Sequence, residues 1–291
     1  FIRSICTFFK KADVEPNAKK HEEKIDEFRC IERDLIPFGN DWDISSYRYN
    51  VDTTGICGYA SPLFQSGQGD ELLFNTCQAV ADCISDLVED EYISATKLGE
   101  LSYSSKNGNG AVAEGSRYID KYNVQTANRS LIEHAFDILP YESTVIMLDH
   151  VMCRETSSRL IAVPKDGRGP RLIAAEPTYN MYLQQSILNF FERRVFSRNT
   201  LLGSIVNLKD QNLSKELARI GSISCKYATI DLKSASDRLS CDLVFRLLRK
   251  APRLRKALFA FRTQSVSISD NETIRLAKFA TQGSAVTFPL Q

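Results

Sequence analysis

Apolar residues recur at helical spacing between Asp70 and Asp90, at Leu72, Leu73, Cys77, Val80, Ile84 and Leu87, and predict a helix there. A second stripe, Leu183, Ile187, Phe190, Phe191 and Val195, predicts an amphipathic helix over Thr178 to Phe196 with one face in the core. Between these two the pattern shortens. Residues 159–165 and 171–175 are brief apolar runs joined by Asp166-Gly167-Arg168-Gly169-Pro170, the signature of a hairpin. Ala228-Thr229-Ile230-Asp231 reads as a strand that passes through small residues into a helix. Gln282-Gly283-Ser284 is a turn opening a further helix, with Thr287 four positions after the glycine. Residues 1–35 form a charged, partly helical lead-in, 36–70 read as irregular, and Ser102 to Gly115 is a loop carrying Gly108, Gly110 and Gly115. There is no internal repeat and no low-complexity linker.

Composition narrows the class. The chain has 291 residues, 43% hydrophobic and 25% charged, which suits a globular protein of one large or two ordinary domains. No apolar stretch has the length of a membrane span. The eight cysteines include no C-x-x-C pair, and His21, His134 and His150 are not spaced as a metal cluster. A disulfide framework or zinc knuckle is therefore not expected, and a reducing, intracellular setting is. The net charge of +1 hides a division: residues 151–291 hold 23 lysines and arginines against 11 acids, and residues 1–150 hold 14 against 25. That asymmetry suggests a polyanion partner for the basic half. The basic residues Arg246, Arg249, Lys250, Arg253, Arg255 and Lys256 are interleaved with apolar ones, which fits a structured groove and equally a solvated helix face.

Three elements carry candidate chemistry. Asp231-Leu232-Lys233-Ser234-Ala235-Ser236-Asp237 presents one carboxylate at a strand end and a second one six positions later. Mg²⁺ is commonly held by one or two carboxylates plus substrate phosphates, and the small residues between leave room for a nucleotide. The same spacing suits a strand-turn-helix in which Asp237 is only the helix N-cap. Lys165, Arg168 and Arg171 fall at the tip and shoulders of the predicted hairpin, where cations on a stiff ribbon could bind a triphosphate. A solvated hairpin would look alike. In the Gly283 turn the Thr287 hydroxyl could contact a ribose, and the glycine allows close backbone approach.

The order of these elements, and their wording, resemble the RNA-directed RNA polymerases of positive-strand RNA bacteriophages, the leviviruses. Val163-Pro164-Lys165 with Arg171-Leu172-Ile173-Ala174-Ala175-Glu176-Pro177 is similar to their fingers motif. Asp231 to Asp237 is similar to their first palm motif, and Gly283-Ser284-Ala285-Val286-Thr287-Phe288-Pro289 to their second. Gly108 to Gly115 resembles an upstream glycine-rich element of phage relatives. The resemblance implies an α+β, right-hand polymerase fold with mostly helical fingers and an antiparallel-sheet palm. With the charge division near residue 150, it divides the chain into an acidic N-terminal and fingers region at 1–150, fingers with the basic hairpin at 151–222, and a partial palm at 223–291. It implies two Mg²⁺ ions, with Mn²⁺ as a substitute, held by Asp231 and the Leu232 carbonyl. Asp237 would read the ribose 2′-OH, the group that separates RNA from DNA. Lys165, Arg168 and Arg171 would guide the triphosphate, Ser284 and Thr287 would contact template or sugar, and Gly283 and Gln291 would lie beside the template and the nascent pair. The implied partners are RNA template and product, nucleoside triphosphates and, as a family expectation, host elongation factors and a ribosomal protein, in the cytoplasm of a bacterial host without a membrane.

The family's third palm motif, Gly-Asp-Asp, has no match before Gln291. The expectation is therefore a fragment that does not polymerise RNA by itself. A non-catalytic RNA-binding remnant of the fold is the alternative. A reverse transcriptase is a third reading, against which Asp237 weighs, because a DNA-making enzyme needs bulk there to exclude the 2′-OH.

Overall fold

Phe28, Ile31, Glu32 and Leu35 fall on one face of the helix Ala18–Leu35 (α1), and that buried face decides how the chain's first described element packs. The computed structural model describes residues 18–35, 68–135, 151–166, 169–206, 208, 210, 212–230 and 234–291. The irregular stretch expected over 36–70 lies, up to residue 67, outside them. The remaining principal elements are the helix Gln68–Lys97 (α2), the strands Ser158–Asp166 (β1) and Gly169–Ala175 (β2), and the helices Thr178–Phe190 (α3) and Asn212–Ser224 (α4). After them come the helices Cys241–Leu247 (α5) and Pro252–Phe261 (α6), the strands Ser265–Ser269 (β3) and Glu272–Arg275 (β4), and the short helix Thr287–Leu290 (α7).

The expected hairpin is present. Strands β1 and β2 pair antiparallel from Arg159↔Ala175 to Val163↔Arg171, with an irregularity before Asp166↔Gly169. The four-stranded sheet runs β2-β1-β3-β4. It is mixed, because β1 meets β3 in parallel at Ser158↔Val266. Alternation along the hairpin puts Leu160, Leu172 and Ala174 against Phe28, Val266 and Leu276, so α1 closes one face of the sheet. Arg159, Ile161, Val163, Ile173 and Arg171 share the opposite face by register.

The main core lies among the helices. The stripe predicted for Thr178 to Phe196 is buried throughout, although the last turn, Phe191–Val195, widens into a π-helix. Tyr92 of α2 meets Phe190 edge-on at 5.4 Å between ring centres. On α2 the side that packs carries Ile84, Val88, Tyr92 and Ala95, while Leu72, Leu73, Val80 and Leu87 are exposed. Two stripes share that helix, and periodicity does not say which one meets the core. The packed stripe includes two polar groups with work to do at the start of α6. Glu89 accepts from Arg253 N (3.0 Å) and Leu254 N (3.2 Å), and Ser85 Oγ accepts from Lys250 N at 2.9 Å. Glu89 satisfies amides that a helix N-terminus leaves without intrahelical partners, and Ser85 holds the residue before the N-cap.

The acidic first half and the basic second half meet in the same way. Asp82 binds Arg249, Glu91 and Glu100 bind Arg194, and Glu32 binds Lys278. Part of the charge asymmetry that suggested a polyanion partner is thus matched within the chain.

Candidate active site

The strand expected at Ala228-Thr229-Ile230-Asp231 is not formed over residues 226–230, which carry no regular structure and leave Ile230 84% exposed. β-Propensity reflects packing against neighbouring strands, and no described strand runs beside this segment. Asp231 and Leu232 lie outside the described residues.

The next described residue, Ser234, sits at a left-handed φ of 54° and starts a tight turn. Asp237 N donates to Ser234 O at 3.0 Å and Arg238 N to Ala235 O at 3.1 Å. The helix cap after this turn is Ser240, whose Oγ accepts from Leu243 N, so Asp237 is not the N-cap that its spacing allowed. Its carboxylate is held elsewhere. Lys278 Nζ donates to Oδ1 at 2.9 Å and Gln282 Nε2 to Oδ2 at 3.3 Å. With its side chain 21% exposed, Asp237 remains reachable from solvent.

Residues 276–280 lie under this turn because two segments grip them. Phe279 N donates to Leu239 O at 2.6 Å, and Ser240 pairs with Lys278 as an isolated antiparallel bridge. From α6, the buried Arg262 guanidinium donates to the carbonyls of Phe279 (3.0 Å), Leu276 (3.2 Å) and Lys278 (3.0 Å). Three acceptors in a fixed fan suit the planar fork of arginine.

The turn that follows is tied to the hairpin and to α3. Ala174 N donates to Gln282 O at 3.0 Å, and a Cβ on Gly283 would overlap the Ala174 carbonyl oxygen. Gly283 has a φ of 156° and is exposed, so the backbone itself forms the surface here. Ser284 Oγ and Ala285 N both donate to Gln184 Oε1, at 3.0 and 3.1 Å. Gln184 Nε2 in turn donates to Phe261 O (2.9 Å) and Glu176 Oε2 (3.2 Å). Glu176 also accepts from Thr263 and Thr281. Burial lifts its carboxyl above the usual range, against the opposing pull of those hydrogen bonds and of Arg262. Thr287 Oγ1 donates inward to Thr281 O at 2.8 Å. Ser236 Oγ donates to Gln291 Oε1 at 3.0 Å, linking the two turns at their outer edge.

The glycine-rich loop supports the same region from behind. Lys121 Nζ donates to the carbonyls of Gly108 and Gly110, both at 2.6 Å. Ala113 N donates to Glu176 O, and the Glu114 carboxylate receives Thr178 N and Oγ1, capping α3.

The sequence model of the family described as RNA replicase, beta-chain, matches residues 74–291. The chain belongs to that family. It is 39% identical over 132 residues to the RNA-directed RNA polymerase beta chain of Escherichia phage MS2, covering 45% of this chain and 23% of that one. The beta chain of Enterobacteria phage GA gives the same identity and coverage, and the subunit beta of Escherichia virus Qbeta is 28% identical over 180 residues, covering 57% and 29%. The matched stretch is thus less than a third of each of these relatives.

Of the replicase residues expected from the sequence, Asp237, Gly283, Ser284 and Gln291 come together around the two turns, with Thr287 turned inward beneath them. Arg171 lies exposed on β2, across from Val163. Arg168 and the Lys165 side chain lie outside the described residues. No group of three or more His, Cys, Asp or Glu side chains able to hold a metal forms among the described residues. No described helix is long and apolar enough to cross a membrane. Lys278, Gln184, Glu176 and Arg262 were not anticipated. Lys278 alone had a clear signal, because a single polar residue inside an apolar run, Leu276-Ala277-Lys278-Phe279-Ala280, is a candidate for a buried and paired role.

Proposed function

We propose that the chain carries part of the nucleotide site of a template-directed RNA polymerase of right-hand architecture. In this reading α3 and the β1–β2 hairpin belong to the fingers, and residues 223–291 belong to the palm. The observation that carries the reading is Asp237: an accessible carboxylate with each oxygen engaged by one fixed donor, beside the Gly283–Ser284 turn. Such a carboxylate keeps lone pairs for a donor from outside, and a ribose 2′-OH is one.

The roles in this reading are those the family resemblance assigns. Arg171 offers charge to the triphosphate from the exposed face of the hairpin, and Lys165 and Arg168 carry the same charge nearby in the sequence. Asp237 accepts from the 2′-OH of the incoming nucleotide. Ser284 and Gln291 flank it, and the exposed backbone at Gly283 lets the template base approach closely. Asp231 and the Leu232 carbonyl are hard oxygen donors of the kind Mg²⁺ takes, and its remaining ligands would be phosphate, water or further carboxylates. Such ions would supply charge to stabilise the attacking and leaving oxygens of a nucleotidyl transfer in which the primer 3′-oxygen replaces pyrophosphate on the α-phosphorus. The residues described here position and neutralise, as is usual in phosphoryl transfer.

The test is RNA-primed extension with Mg²⁺ and four ribonucleotides by the polymerase chain that contains residues 1–291. Asp231→Asn is expected to abolish synthesis while RNA affinity persists. RNA binding with no synthesis by the unsubstituted protein would favour a non-catalytic RNA-binding role instead.

A further inference from the structure

Lys278 is completely buried, yet its ammonium sits between two carboxylates from opposite ends of the chain: Asp237 Oδ1 at 2.9 Å and Glu32 Oε1 at 3.0 Å. The Phe28 ring centre lies 3.8 Å from the same nitrogen. Taking a cation out of water is costly, and a buried ion pair is often no more stabilising than apolar residues of the same volume. Stability alone therefore gives little reason for a lysine here. We propose that Lys278, neutralised by Glu32 of α1, is the positioning residue that fixes the Asp237 carboxylate for selection of ribonucleoside triphosphates. The inference rests on the polymerase reading given above.

The geometry supports a positioning role in three ways. A free carboxylate rotates about its terminal bond, but Lys278 and Gln282 take one oxygen each, so a 2′-hydroxyl meets an acceptor in one orientation. Glu32 also accepts Ala277 N (2.7 Å) and Lys278 N (3.3 Å) through Oε2, so the backbone that carries the lysine is anchored to α1. Arg262 holds the carbonyls of the same segment from α6. Lys278 thus cannot follow Asp237 if the turn shifts; the turn must conform to the lysine.

The experiment compares kcat/KM for a ribonucleotide with that for its 2′-deoxy counterpart in single-nucleotide RNA-primed extension by the polymerase chain. Lys278→Met with Glu32→Gln removes the donor without stranding a carboxylate, and circular dichroism with thermal melting establishes that it folds. The ribonucleotide preference is expected to fall on the order of tenfold, the size of a lost hydrogen bond to a charged group, with the change in ribonucleotide KM. Lys278→Arg keeps the cation in altered geometry and is expected to fall between the double variant and the wild type. In an Asp237→Ala background the double substitution is expected to add no further loss, because both act through one group. An unchanged preference in the folded double variant, with Asp237→Ala still lowering it, overturns the inference and leaves the polymerase reading standing. An unchanged preference in Asp237→Ala overturns both. Should the double variant fail to fold, Lys278→Arg decides, and an unaltered preference there overturns the inference.

Discussion

Gly283 packs against Ala174 so closely that its α-hydrogen occupies the only space between the turn and the carbonyl of β2. The adjoining hydrogen bond from Ala174 N to Gln282 O makes this contact part of the site, since the Gln282 side chain holds Asp237. Gly283→Ala is therefore expected to push the turn off the hairpin. Overpacking and backbone strain of this kind cost about 2–4 kcal/mol together, measurable by urea unfolding, and the variant should lose ribonucleotide incorporation at temperatures where it remains folded.

Gln184 gives a second prediction. It is fully buried and serves four partners, Phe261 O, Glu176, Ser284 Oγ and Ala285 N. Gln184→Met preserves volume but strips Ser284 Oγ and Ala285 N of their acceptor, while Phe261 O keeps Asn180 and Glu176 keeps the two threonines. At about 1–3 kcal/mol for each unsatisfied buried group, with partial relaxation, the expected loss is about 3 kcal/mol. Denaturant midpoints check it, and a change under about 1 kcal/mol would show that water or rearrangement replaces the amide.

The pH dependence has a definite sign. Glu176 has its carboxyl raised by burial in the folded state, so its contribution to stability is present in acid and is lost as pH rises through the elevated folded value. Glu176→Gln removes that titration. The unfolding free energy of the wild type should decline relative to the variant as pH rises above the ordinary glutamate value of ~4.3. A constant difference across that range would place the ionised carboxylate in the folded protein.

Two arginines of the basic half should behave differently. Arg171 is exposed on the outer face of the hairpin, whereas Arg194 is engaged by Glu91 and Glu100. Arg171→Ala is expected to weaken ATP binding by roughly tenfold, the worth of one charge-assisted contact. Arg194→Ala should leave ATP affinity within about twofold. Equilibrium titration with labelled ATP distinguishes them, and equal losses would point to a diffuse electrostatic effect.

The parts legible in the sequence are those specified by neighbours. The hairpin and α3 follow from local patterns that tertiary packing reinforces, and Asp237 stands out because its surroundings of Ser and Ala are so small. The strand at 228–230 failed for the opposite reason: its apolar residues need an adjoining edge, which no described strand supplies. Lys278 was illegible as a site residue because its meaning depends on Asp237 and Glu32, groups far away in the chain. The helix α2 follows from its apolar spacing, but apolar residues lie on both sides of it, and the bonds of Glu89 and Ser85 to residues 250, 253 and 254 mark the side that packs.

The pairing of Glu32 with residue 278 spans 246 positions. A ribosome adding about 5–20 residues each second needs roughly 10–50 s to cover that distance. During synthesis α1 therefore emerges with a carboxylate and an aromatic ring whose cation does not yet exist, and the Asp237 carboxylate also appears before it. The site cannot be completed piecemeal from its amino-terminal side. Its ties form only when the segment from 276 to 291 arrives, which makes this region a late, high-contact-order step in folding.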